Sequence, residues 1–135
     1  MMTDGTPNAG YHVPIPGFTS FTTAQGPGRL VFVSGLTSRG ADGEIHALGD
    51  VAGQAEQILR TMRALMAEAG GTLRDIVQIR TYITDIETWP HVEEVWRRHW
   101  PERFPASTLV QVGRLFDVRQ LIETDAIAFI PEPVD

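Results

Sequence analysis

The stretch LIETDAIAF, residues 121–129, alternates in the way an extended strand requires. Successive side chains of a strand point to opposite faces. Leu121, Glu123, Asp125, Ile127 and Phe129 therefore share one face, and Ile122, Thr124, Ala126 and Ala128 share the other. The second set is apolar and small enough to lie beneath helices. The first set places two carboxylates among three large hydrophobes, where an unpaired buried charge costs several kcal/mol. Such a face fits neither an ordinary core nor an ordinary wet surface. It points to burial against another chain, with a cation near the acids.

Working outward, DIVQIRTYITD (75–85) is rich in β-branched residues and alternates as well. Val77, Ile79, Thr81 and Ile83 fall on one face, and Gln78, Arg80, Tyr82 and Thr84 on the other. LVFVSG (30–35), entered from the turn-forming GPG at 26–28, reads as a buried strand, and TLVQV (108–112) as a further one. The tight turn SRGADGE leads into EIHA (44–47), a short returning strand. From Asp50, a good N-cap, Val51, Ile58, Leu59, Met62, Leu65, Met66 and Ala69 recur at helical spacing until Gly70 and Gly71 end the run. Thr88 caps a second helix through Pro90, Val92, Val95, Trp96 and Trp100, stopped by Pro101.

The order is β-β-α-β-α-β-β, with one more strand near Phe18 to Thr23. Two amphipathic helices cover one face of a mixed sheet of five or six strands, an α+β fold. The expected helix-side residues are Val77, Ile79, Ile83, Val110, Val112, Ile122, Ala126 and Ala128. Arg80, Tyr82, Leu109 and Gln111 join the acids on the other face. An apolar surface of that kind, left uncovered, marks a subunit interface. Arg80 is the expected partner of the acids.

Composition narrows the function classes. At 135 residues and 42% hydrophobic, the chain is one domain, residues 18–135, behind an arm of residues 1–17 whose opening residues are rich in Gly, Pro and Asn. Without cysteine there is no disulfide, thiolate metal site or cysteine nucleophile, which favours a cytoplasmic setting. No apolar run approaches a membrane span, and residues 1–10 lack a signal peptide's pattern. A net charge of −6 provides no basic footprint for nucleic acid. The four histidines (His12, His46, His91, His99) are too dispersed to share a metal, and GADGE (40–44) lacks the pattern of a phosphate or calcium loop. Neither metal nor organic cofactor is expected.

LVFVSG, GEI, AEAGGTLRDIVQIRTYITD, HVEEVWRRHWPERFPAS and IETDAIAF, in that order and spacing, resemble the Rid family of reactive-intermediate deaminases. These proteins are also called YjgF-like and were formerly known as L-PSP endoribonucleases. The resemblance runs from about Phe18 to Ile130. It implies a chorismate-mutase-like α+β subunit, a homotrimer, and clefts between neighbouring subunits that bind a small molecule. The best-known members hydrolyse imines and enamines such as 2-aminoacrylate to a keto acid and ammonia.

Carried over position by position, the resemblance makes Glu123 the residue that holds the attacking water, with Asp125 in place of the second acid of that strand. Ser34 and Gly35 match the family's S-G pair. The family arginine that grips a substrate carboxylate is replaced by Ser107, and a serine cannot supply two parallel charge-assisted bonds. Glu93 stands where the family has an asparagine, and Phe21 where it has a tyrosine. Leu109 and Arg80 complete the expected substrate-binding set. Losing the arginine and gaining Glu93 would make the cleft more negative by about two charges, favouring a neutral or cationic ligand over a 2-iminocarboxylate. Arg80, Arg114 or Arg119 could restore the positive charge.

Each site residue also has a plain structural role: Glu123 pairing with Arg80, Glu93 pairing with Arg97 at i,i+4, Ser107 bonding to backbone, Ser34 and Gly35 marking a bulge. Three functions stand side by side: an imine, enamine or amide hydrolase; a metabolite-sensing or protein-binding trimer without chemistry; and a ribonuclease. An acidic chain without an aromatic platform argues against the last.

Overall fold

The computed structural model describes residues 18–133 together with the strand Met2–Asp4. The expected arm, residues 1–17, otherwise lies outside the described residues. Eight elements follow in order: β1 (Met2–Asp4), β2 (Thr22–Ala24), β3 (Gly28–Leu36), α1 (Val51–Glu68), β4 (Ile76–Ile83), α2 (Trp89–His99), β5 (Ala106–Gln111) and β6 (Ile122–Pro131).

β3, β6, β4 and β5 form one mixed sheet in that spatial order, antiparallel except for the parallel pair β4–β5. β1 and β2 make a separate two-stranded ladder. The sheet is therefore smaller than the five or six strands expected. EIHA contributes only an isolated bridge, Arg39 with Ile45, because the turn before it closes through Gly40 and Glu44 and leaves too little chain to form a ladder.

α1 starts where Asp50 accepts a hydrogen bond from the Gly53 N–H at 3.0 Å and ends at Gly70, whose φ of +91° is the left-handed conformation glycine tolerates. Thr88 precedes α2 as expected but donates to the Asp85 carbonyl at 2.6 Å rather than capping the helix. Both helices lie on one face of the sheet. Ile58, Leu59, Met62 and Met66 of α1, with Val92, Val95 and Trp96 of α2, pack over Ile76, Ile79, Ile83, Ile122 and Ala128, all buried. Truncating any one of the large residues to alanine would cost about 2–5 kcal/mol. Gln54, wholly buried, ties α1 to two loops: its amide donates to Ala47 and Arg119 carbonyls and accepts from the Leu121 N–H.

Strand faces follow the expected parity in β6 and depart from it in β4 and β5. A bulge between Ile76 and Gln78 puts Ile76, not Val77, beneath the helices. In β5 the parallel register sets Ser107 beside Ile79 and Leu109 beside Thr81, so Leu109 and Gln111 face the helices while Val110 stands exposed on the far side. TLVQV carries apolar residues on both parities, so alternation underdetermines its face, and one step of slip inverts the whole strand.

Candidate active site

The acids of β6 lie on the face the helices leave open. Arg80 of β4 reaches across to Asp125, donating through Nε and Nη2 at 2.9 Å each to the two carboxylate oxygens. This bidentate pair engages Arg80 with Asp125 and leaves Glu123 without a cationic partner among the described residues. Among the described residues no side chain is bonded to the Glu123 carboxylate. Burial first, and the charge of Asp125 second, raise its pKa above the ordinary glutamate value.

A second bulge, in β3, places Ser34 and Gly35 beside this carboxylate. Val33 pairs with Ala126 and Leu36 with Thr124, so the two residues between them drop out of the ladder. A Cβ on Gly35 would stand 2.3 Å from Glu123 Oε2. Glycine here is the space in which the carboxylate sits. Ser34, Gly35 and Glu123 thus form one compact group on the open face, next to Arg80 and Asp125.

Ser107, Leu109 and Glu93 are brought together elsewhere. With Phe18, Thr19, Ser20 and Trp89 they line a cavity of about 590 Å³ on the helix side of edge strand β5. Thr19 pins the segment 18–20 by donating to the Phe104 carbonyl at 2.8 Å. Phe18 packs edge-on against Phe104 with ring centroids 5.2 Å apart and leans on Trp89 at 6.0 Å. Phe21, one residue further, is exposed and does not line the cavity.

Glu93 does not add a bare negative charge. Arg97, one turn on, donates to its carboxylate at 2.6 Å and lies over the Phe104 ring at 5.4 Å. The i,i+4 pair anticipated for these two residues is formed, and the extra negative charge expected at the cleft is answered on the spot. Arg80, Arg114 and Arg119 are engaged elsewhere. Arg80 holds Asp125, Arg114 donates to the carbonyls of Leu115 and Phe116, and Arg119 grips Asp117, holding that carboxyl well below the usual range. No basic residue lines the cavity among the described residues.

The candidate residues therefore form two groups on opposite faces of one sheet: Ser34, Gly35, Arg80 and Glu123 on the open face, and Ser107, Leu109 and Glu93 at the helix side of β5. Phe18, Thr19, Ser20 and Trp89 were missed as lining residues. Their only signal was chain order, the FTS run before β2 and the Trp opening α2, and neither indicates a cavity without the fold. Among the described residues His46 bonds Asp42, His99 bonds Glu56, and no three His, Asp or Glu side chains are placed to hold a metal.

Comparison with known proteins places this geometry. Residues 14–130 match the family model described as Endoribonuclease L-PSP. The chain is 28% identical over 130 residues to the 3-aminoacrylate deaminase RutC of Acinetobacter baylyi, covering 96% of each protein. It is 35% identical over 104 residues to a RutC family protein of Pyrococcus abyssi, covering 76% of this chain and 80% of that one. Among solved structures, the conserved Rid protein YyfB of Yersinia pestis superposes with a TM-score of 0.80 at 24% identity, covering 94% of this chain and 97% of its own.

Proposed function

The chain belongs to the endoribonuclease L-PSP family, the Rid or YjgF-like proteins, and from that premise we propose that it hydrolyses the C=N bond of an imine, or of the enamine that tautomerises to one, in a cleft closed by two subunits of a homotrimer. The observation that carries this is the Glu123 carboxylate, half-buried over Gly35 with no bonded partner among the described residues. A carboxyl whose pKa is raised by burial can take and return a proton near neutral pH.

The chemistry needs little else. Glu123 accepts a proton from a water as its oxygen attacks the imine carbon; the carbinolamine collapses as the proton passes to nitrogen and ammonia leaves. The backbone of the Ser34–Gly35 bulge, out of register with β6, supplies hydrogen-bonding groups for the substrate heteroatom. The sequence contains no lysine, so no side-chain amine can take the substrate into a covalent Schiff base, and attack by water is direct. The relative from Acinetobacter baylyi is a 3-aminoacrylate deaminase by name, a C–N hydrolysis of the same type.

Two features support the shared cleft. Glu123 and the Ser107 cavity occupy opposite faces of one sheet, so the two groups can meet only when the open face of one subunit lies against the β5 edge of another. The open face also exposes Leu30 at 58% and Phe32 at 70%, apolar area that a partner would bury. With Ser107 in place of the family arginine, the substrate is one without a carboxylate.

The test is Glu123→Gln assayed against a panel of imines generated in situ. Turnover should fall by about 10²–10⁴-fold while the assembly stays intact. Undiminished turnover would remove Glu123 from the chemistry.

A further inference from the structure

We propose that the cavity beside β5 seats an uncharged, bulky apolar group, aromatic or branched aliphatic, carried on the C=N carbon, and that Ser107 is its polar anchor. This rests on the imine-hydrolase reading above and adds the class of substrate. A volume of about 590 Å³ lies in the range of pockets that enclose a small organic molecule. It exceeds what a methyl or methylene group beside the imine carbon would fill. Its walls are the Phe18 and Trp89 rings and Leu109, and the edge-on contacts of Phe18 with Phe104 and of Trp89 with Trp96 hold those rings in place.

The electrostatics exclude both signs of charge. A ligand carboxylate would give up its hydration and, among the described residues, find no cation in the lining, while Glu93 would face it. A ligand cation would find Glu93 already neutralised by Arg97, with no free charge to offset its own lost hydration. What remains favourable is a neutral group.

Of the three buried side-chain polar atoms without a partner among the described residues, on Ser38, Trp96 and Ser107, only that of Ser107 belongs to a residue lining the cavity. Its hydroxyl is closed off from solvent and has no hydrogen-bond partner among the described residues, although the residue lines the cavity. A hydroxyl both donates and accepts, and rotation about χ1 re-aims it at little cost. It can meet a neutral nitrogen or oxygen of the substrate in either role. The reaction keeps its balance: the water oxygen bonds to the carbon, the C–N bond breaks, both water protons leave on nitrogen, and a neutral ketone or aldehyde departs with ammonia.

The experiment compares two N–H imines made in situ, that of acetophenone from 1-phenylethylamine with an amine oxidase, and 2-iminopropionate from alanine with an amino-acid oxidase. Acceleration over the spontaneous rate should be at least about tenfold greater for the aryl imine. Leu109→Trp, which fills the cavity, should erase that advantage, and Ser107→Arg should shift preference at least about tenfold toward the carboxylate. Greater acceleration of 2-iminopropionate by the native protein would overturn the proposal and leave the hydrolase reading standing. If neither imine is accelerated, the hydrolase reading fails and calorimetric titration decides the cavity. Saturable binding of acetophenone but not benzoylformate, weakened by Ser107→Ala and by Leu109→Trp, supports the proposal; no saturable binding of acetophenone, or binding indifferent to Ser107→Ala, overturns it.

Discussion

Gly35 and Arg80 act on Glu123 in different ways, one by space and one by charge. A methyl group on Gly35 would stand 2.3 Å from Glu123 Oε2, and the colliding atom is the end of a flexible side chain, which can swing away. Gly35→Ala should therefore leave thermal stability close to native while turnover falls by about 10²-fold, the usual result of displacing a catalytic group by an ångström. Melting curves and steady-state kinetics on the same sample check both halves. Arg80 neutralises Asp125, whose charge is the second cause of the raised Glu123 pKa. Removing it exposes Glu123 to the full charge of Asp125. As the proposed base, Glu123 must be ionised to work, so the acid limb of the rate profile is expected above the ordinary glutamate value and should move to still higher pH in Arg80→Met. Stability should change little, because the Arg80 side chain stands largely in solvent. A limb that stays in place would dissociate Asp125 from the base.

Strands β4 and β6 meet beneath the helices through two threonines, Thr81 and Thr124, both buried, with hydroxyl oxygens 3.3 Å apart. Either replaced alone by valine leaves the other hydroxyl without that partner, at about 1–3 kcal/mol; the double replacement should be nearer neutral. Denaturant unfolding of the three variants gives the coupling directly. At this scale the sequence was legible wherever one pattern dominated. Asp50 and Gly70 delimit α1 where propensity places them, and LIETDAIAF keeps its expected faces throughout. β5 was illegible because Leu109, Val110 and Val112 supply apolar side chains to both faces. Its parity is decided by hydrogen bonding to β4. The bulge that turns Ile76 inward was hidden for the same reason, since IVQI reads equally well in either register.

For the whole molecule the open sheet face is the decisive surface. Phe32 and Leu30 stand exposed on it, paired across the ladder with Ile127 and Phe129. Phe32→Asp should convert the proposed trimer to single chains in sedimentation velocity and abolish turnover with it, since Glu123 would lose its opposing cavity. A trimer that survives the substitution would place the interface elsewhere. Phe32 touches none of the proposed chemistry, so activity lost together with assembly would tie the cleft to the seam between subunits.

Residue order by itself determined the two helices and the strand that carries the acids, which are local matters of periodicity, capping and residue type written along the chain. Glu123 as the catalytic candidate, and Ser107 where a carboxylate-gripping arginine would stand, come instead from the resemblance to the Rid family. Only the tertiary structure decided that Arg80 serves Asp125 rather than Glu123, that Arg97 cancels Glu93, and that Ser107 and Glu123 lie on opposite faces of one sheet. Each of those depends on which strands are neighbours and in what register, and register is set by hydrogen bonds between segments far apart in sequence.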